Sequence, residues 1–258
     1  MCADGGGVNM PLISLRGVTK AFKSGTVALE SLNLDIYEGE FLSLLGPSGC
    51  GKSTVLRIIA GLTDTSGGEI SWRDQRGLGF VFQEPTLAPW SDVFDNVWLP
   101  LRLNHVSRSD AKPRVDEALA NVGLTGFERA YPRELSGGMK MRVSIARALV
   151  TKPAVLLMDE PFAALDEITR AKLNDDLLKL RATLGATIVF VTHSVYESVY
   201  LSTRICVMAP RPGRVVAEIS VDPNTNRDED FRLGPYYAER AREASAALQD
   251  AMGSAKCA

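Results

Sequence analysis

The chain has 258 residues, 45% of them hydrophobic and 23% charged, with a formal net charge of −2 at pH 7. This balance is ordinary for a globular protein and excludes a basic field that would draw the chain to nucleic acid or to an anionic membrane surface. No run reaches the roughly 18 apolar residues of a membrane-spanning helix, and the opening MCADGGGVNM has neither a basic nor an apolar leader region, so no secretory signal is expected.

Residues 1–11 read as a loose tail. LISLRGVTKAF and LESLNLDIY then alternate apolar and polar residues, which predicts two antiparallel strands with one covered face. GEFLSLLG (39–46) is almost continuously apolar, as in a strand buried on both faces. STVLRIIAGL (53–62) has helical spacing, and GEISW and GLGFVFQ are strand candidates separated by the short turn RDQR. Between about Glu84 and Pro153 strand patterns give way to helical ones, so a helical subdomain is expected at about 86–152. PAVLLMDEP and ATIVFVTH restore the buried-strand pattern, with the amphipathic ITRAKLNDDLLKLRATLG between them. RICVMA and GRVVAEISV close the pattern around a PRPG turn. Strands alternating with helices predict an α/β fold whose mostly parallel sheet is covered on both faces. The domain is placed at 12–221, followed by a polar extension at 222–258. That extension holds a predicted helix, YYAERAREASAALQDAM, whose alanine-rich face reads as ordinary packing.

The cysteines Cys2, Cys50, Cys206 and Cys257 have no metal-site spacing, and a reducing cytosolic compartment is expected. Cys50 lies where backbone amides and Lys52 could lower its pKa, and the competing reading is a small filler side chain.

GPSGCGKST (46–54) fits the pattern G-x-x-x-x-G-K-[ST] between a buried strand and a helix, the context in which that pattern binds phosphate. The backbone of Gly46, Pro47, Ser48, Gly49, Cys50 and Gly51 is expected to turn its amides inward, at a helix N-terminus that favours anions. Lys52 is predicted to reach the β- and γ-phosphates, Ser53 to offer its hydroxyl to Mg²⁺, and Thr54 to contact the α-phosphate. At the end of VLLMDE, Asp159 is placed to hold Mg²⁺ and Glu160 to polarise an attacking water. Glu160 also fits a plain helix-start charge, and His193, at the end of the next strand, fits a phosphate sensor or a structural histidine equally well. His105, in a polar connection, receives no function. ELSGGMKMR (134–142) forms a second glycine turn, in which Ser136 can cap a helix beginning about Gly137 and Gly138 and leave amides open to an anion.

In this order the motifs resemble the ATP-binding cassette (ABC) family, over about residues 12–220. The resemblance implies the ABC form of the P-loop NTPase fold, with ATP and Mg²⁺ bound. It makes Gln83 the glutamine-loop residue, also a metal ligand, and LSGGM the signature sequence. Glu160 and His193 become the catalytic pair, Asp166 of AALD the D-loop residue, and Phe22 the ring that stacks on adenine. Two departures stand out: Met139 replaces a commoner glutamine, and Ser194 follows the histidine where an acid is frequent, although serine can still cap a helix. LAPWSDVFDNVWLPL, LLMDEPFAALDEITR and LSTRICVMAPRPGRVV resemble the branch that energises nitrate, sulfonate and taurine importers.

The resemblance further implies a head-to-tail dimer, in which LSGGM of one copy completes the phosphate loop of the other. It implies two transmembrane permease subunits, with a substrate-binding protein engaged indirectly and no nucleic acid. The location implied is the cytoplasmic face of the inner membrane, with peripheral attachment. Gln83 and the segment after it are placed to couple the ATP site to the permease, where Trp90 is either a contact anchor or a core side chain. The alternatives are a soluble ABC-type ATPase acting on ribosomes or DNA, an importer for another solute class, and a P-loop kinase, which would have no use for LSGGM.

Overall fold

The computed structural model describes residues 10–74 and 77–254. Residues 1–9 of the predicted tail, Cys2, Cys257 and the second half of the RDQR turn lie outside the described residues. Among the described residues the strands form two sheets. The smaller holds β1 (Ile13–Ala21), β2 (Val27–Ile36) and β4 (Gly67–Trp72), all antiparallel, in the order β2-β1-β4. The larger orders six strands as β5-β6-β7-β3-β8-β9: β5 (Leu78–Val81), β6 (Val155–Asp159), β7 (Thr187–Thr192), β3 (Phe41–Leu45), β8 (Arg204–Ala209) and β9 (Arg214–Ser220). All its pairings are parallel except the β8–β9 hairpin. The short RDQR connection therefore joins strands of different sheets, because β4 pairs with β1 rather than with β5.

β3, β6 and β7 are buried along their whole length, which is why they read as unbroken apolar runs. Side-chain alternation divides them between two cores. Leu42, Leu44, Val155 and Leu157 pack with Val55 and Leu56 of α1 (Lys52–Ile59) and with the small sheet, so α1 lies between the sheets. Phe41, Leu156, Met158 and Phe190 face the opposite way, onto the helical layer.

That layer includes α2 (Val93–Leu103), α3 (Arg108–Asn121) and α4 (Gly137–Leu149), inserted between β5 and β6 and packed on one another. α5 (Glu167–Leu184) follows β6, and α6 (Val195–Leu201) follows β7. Asp92, Ser107, Ser136, Asp166 and Ser194 each cap the helix after them by accepting a backbone N–H, an interaction worth about 1 kcal/mol apiece. The extension contributes α7 (Glu229–Leu233) and α8 (Pro235–Ser254). Ala241, Ala244 and Ala251 of α8 are buried against Val207 and Ile219, so the alanine face is packing. Among the described residues no helix is long and apolar enough to cross a membrane.

Candidate nucleotide and metal site

Parallel strands end on a common edge, and here that edge gathers the predicted residues. The loop after β3 leads into α1, β6 ends in Asp159, β7 ends one residue before His193, and β5 ends two residues before Gln83. A cleft of about 400 Å³ lies there. Its walls include Phe22, Ser48, Gly49, Gly51, Lys52, Ser53, Thr54, Gln83 and Glu160.

The phosphate loop takes its shape from contacts that only glycine permits at two positions. Gly51, the N-cap of α1, has φ 96°, and a methyl group there would meet Leu29 Cδ2 at 2.7 Å and the Ala28 carbonyl at 2.8 Å. Gly46 has no room either: its Cβ would lie 2.7 Å from Cys50 Sγ. Cys50 is buried, and burial pushes its thiol up from the ordinary value, outweighing the opposing pull of the Lys52 charge. The filler reading of Cys50 holds, and the lowered pKa does not.

Lys52 is buried, with Nζ donating to the carbonyls of Gly46 at 2.8 Å and Pro47 at 3.0 Å. Its nearest counter-charge is Glu160 Oε1 at 3.5 Å. The other oxygen of Glu160 lies 3.1 Å from His193 Nδ1. Glu160 thus bridges the ammonium group and an imidazole that is half exposed. Its own backbone is left-handed, φ 44°, a conformation that costs a non-glycine residue about 1–3 kcal/mol and collects at functional sites. The surroundings enforce it. The Glu160 amide donates to Val191 O at 3.0 Å, and Phe162, two residues on, packs its ring 5.8 Å from that of Phe190. The helix-start reading of Glu160 fails, since α5 begins only at Glu167.

Ser53 Oγ donates to Asp159 Oδ1 at 2.7 Å. A hydroxyl and a carboxylate side by side are hard oxygen donors that fit Mg²⁺, with Gln83 on the same cleft. Among the described residues no group of three or more His, Cys, Asp or Glu forms a metal cage. Burial raises the Asp159 carboxyl above its ordinary pKa, against the Ser53 hydrogen bond; a cation beside it would favour the ionised form.

Ser136, Gly137, Gly138 and Asp166 do not line the cleft. They lie together elsewhere: a Cβ on Gly138 would sit 2.7 Å from Thr169 Cγ2, and one on Gly137 3.6 Å from Leu165 Cδ2. Ser136 Oγ accepts from Met139 N at 3.2 Å, and the Thr169 amide holds the Asp166 carboxyl below the usual carboxylate range. Trp90 is 80% exposed, so its core reading is wrong. Its turn is fixed by buried Asn96, whose amide bonds the backbone at Ala88, Ser91 and Asp92. Arg147 of α4 donates to the carbonyls of Pro85 and Thr86, tying the helix capped by Ser136 to the segment after Gln83.

The sequence patterns did not point to Arg211, which also lines the cleft and approaches the phosphate loop at Gly49. Gly213, two residues on, donates to Ala28 O at 3.0 Å, and a Cβ there would run into the Cys50 carbonyl, so the PRPG turn packs against the loop. PRPG carries a turn signal but nothing that points to phosphate.

The family model described as ABC transporter matches residues 29–163. An aliphatic-sulfonate import ATP-binding protein of Pseudomonas syringae pv. syringae is 46% identical over 242 residues, covering 93% of this chain and 97% of that one. A taurine import ATP-binding protein of Rhizobium johnstonii is 44% identical over 232 residues, covering 86% and 88%. A solved dimeric ATP-binding cassette in a post-hydrolysis state, bound to ADP and Pi, superposes with a TM-score of 0.73 at 36% identity, covering 81% of this chain and 99% of that one. With the phosphate loop, the paired acids and the histidine on one sheet edge, the chain belongs to the ABC transporter family.

Proposed function

We propose that the chain is the ATP-hydrolysing subunit that energises an ABC importer for a small anionic or zwitterionic solute of the sulfonate and taurine class. One observation carries the chemistry: Glu160, held left-handed at the end of β6, bridges Lys52 and His193 beside the Ser53–Asp159 pair. The solute class rests on likeness to the sulfonate and taurine import subunits.

In this reading the loop amides and Lys52 bind the β- and γ-phosphates, and the γ-phosphate replaces Glu160 as partner of the ammonium group. Phe22, 44% exposed on the cleft wall, stacks on adenine. Ser53, Asp159 and Gln83 would hold Mg²⁺, which would supply positive charge to offset that of the phosphates. Glu160, freed from Lys52, accepts a hydrogen bond from the attacking water and orients it. His193 stays beside Glu160 and faces the γ-phosphate. Ser136 and the first amides of α4 supply donors from a second copy, because no residue of that turn lines the chain's own cleft. Two permease subunits dock at the cytoplasmic face of the membrane, with exposed Trp90 as an anchor. The Arg147 contacts pass movement of α4 to the segment that carries it.

Glu160→Gln tests the chemistry. Turnover of ATP is expected to fall by roughly 10²-fold or more, while ATP binding persists and an ATP-bound dimer accumulates in size-exclusion chromatography. Turnover at the unmodified rate removes Glu160 from the role.

A further inference from the structure

Besides its contact with Glu160, His193 is flanked by residues held by groups that take no direct part in binding or hydrolysing ATP. Thr192, the last residue of β7, donates its hydroxyl to Glu197 Oε2 at 2.5 Å and accepts the Ser194 amide at 3.0 Å. The Glu197 amide in turn donates to Ser194 Oγ at 3.3 Å. The residues on both sides of His193 are thereby fastened to Glu197. Its carboxylate is buried, and a buried charge persists only with partners.

The second oxygen of Glu197 faces another element. Oε1 lies 3.6 Å from Arg170 Nε on α5, an ion pair slightly too long for a hydrogen bond. Among the described residues Arg170 Nε, itself buried, has no hydrogen-bond acceptor. The other end of the guanidinium is engaged: Nη2 donates to Leu165 O at 2.9 Å, the carbonyl directly before Asp166. A continuous path therefore runs from the Leu165–Asp166 turn through Arg170, Glu197 and Thr192 to His193, and on to Glu160. Every joint is a hydrogen bond or a covalent link except the one between Arg170 and Glu197. That joint has an unsatisfied donor on one side and a carboxylate on the other, so a small advance of the α5 start toward α6 would close it.

We propose that Glu197 is a positioning residue for His193, and that Arg170 links it to the Leu165–Asp166 turn, so that a second copy seated on that turn draws the last joint closed and sets the imidazole. The proposal rests on the reading that two copies close over ATP. Leu165 and Gly137 adjoin within the chain, so the turn belongs to the same surface as the second glycine motif. Neither Arg170 nor Glu197 lines the nucleotide cleft, so the relay acts on rate rather than on ATP affinity. A displacement of about 1 Å in a reacting group costs on the order of 100-fold, so the expected loss is roughly ten- to a hundredfold in kcat.

Glu197→Gln and Arg170→Met test this in the full chain, each alone and each combined with His193→Ala. Glutamine still accepts the Thr192 hydroxyl but presents no charge to Arg170. Arg170→Met keeps the aliphatic bulk and leaves the Thr192–Glu197 bond intact, so it probes the same joint from the other side if Glu197→Gln unfolds. The chain has two histidines, His105 and His193, so its ring NMR signals are assigned by difference against His193→Ala. Both variants are expected to lower kcat at unchanged KM for ATP, to shift the His193 ring signals and to leave those of His105 in place. In the His193→Ala background neither is expected to cause a further loss. Unmoved His193 signals, a loss confined to KM, or the same fold-loss without His193 would each overturn the relay. A wild-type chain that neither hydrolyses ATP nor dimerises with it would instead overturn the underlying functional reading, and the NMR comparison would still judge the positioning.

Discussion

Gly51 and Gly185 both have positive φ, 96° and 60°, but their surroundings differ. A methyl group on Gly185 meets nothing within 4 Å, whereas one on Gly51 runs into the Leu29 side chain and the Ala28 carbonyl. Gly185→Ala is therefore expected to cost about 1–2 kcal/mol of stability from the left-handed backbone alone, with nucleotide affinity unchanged. Gly51→Ala carries the same backbone cost and must also shift the phosphate loop, so ATP affinity should fall at least tenfold, as measured by titration calorimetry beside thermal unfolding. The glycine loop was legible because a strand, a spaced set of glycines and a helix are all local patterns. The left-handed turn at Glu160 was not, since Val191 and Phe190 of the neighbouring strand impose it. Arg211 escaped for the same reason: it reaches the cleft only because the β8–β9 hairpin folds back onto Ala28. At Cys50 the sequence is compatible with two chemistries, and burial favours the thiol.

At the scale of elements, α6 carries the consequences of the histidine's position and is gripped from its other side by the C-terminal extension. The Tyr200 hydroxyl lies 2.7 Å from Asp175 Oδ1 and 2.8 Å from the Arg227 carbonyl. Arg232 stacks on the Tyr200 ring at 4.0 Å and pairs with Asp175 at 2.6 Å. Tyr237 of α8 donates to the Tyr196 carbonyl at 3.0 Å. α6 is thus clamped between α5 and the extension. Tyr200→Phe should destabilise the chain by about 1 kcal/mol, seen as a lower Tm. Burial, helped by the Asp175 hydrogen bond, pushes the Tyr200 phenol up from 10.0 to about 12. A raised folded-state value keeps the phenol neutral, so its contribution is complete below pH 10 and declines as the pH rises toward 12. The Tm difference between wild type and Tyr200→Phe should shrink across that window; a constant difference would mean that the hydroxyl is not desolvated. Local periodicity identified the strands and the long helices, because each buries one face or both. It could not tell that β4 leaves β5 for β1, or that the extension would clamp α6, since both depend on pairings between segments far apart in the chain.

For the whole molecule the decisive feature is what the cleft lacks. The phosphate loop, the Ser53–Asp159 pair, Glu160 and His193 share one sheet edge, yet Ser136, Gly137, Gly138 and Asp166 lie on another surface, where α4 meets the start of α5. A γ-phosphate is strongly anionic and needs donors on more than one side; the amides at the start of α4 have no intrahelical partners and suit it. If a second copy supplies them, each of the two sites combines Lys52 from one chain with Ser136 from the other. Mixing Lys52→Ala subunits with Ser136→Ala subunits then builds heterodimers with one site missing both groups and one site intact. Either variant alone should be nearly inactive. The mixture should recover a measurable share of wild-type ATP turnover, rising with the heterodimer fraction counted by native mass spectrometry. Were both groups to act within one chain, every subunit in the mixture would carry a defect, and turnover would stay at the level of the separate variants whatever the mixing ratio.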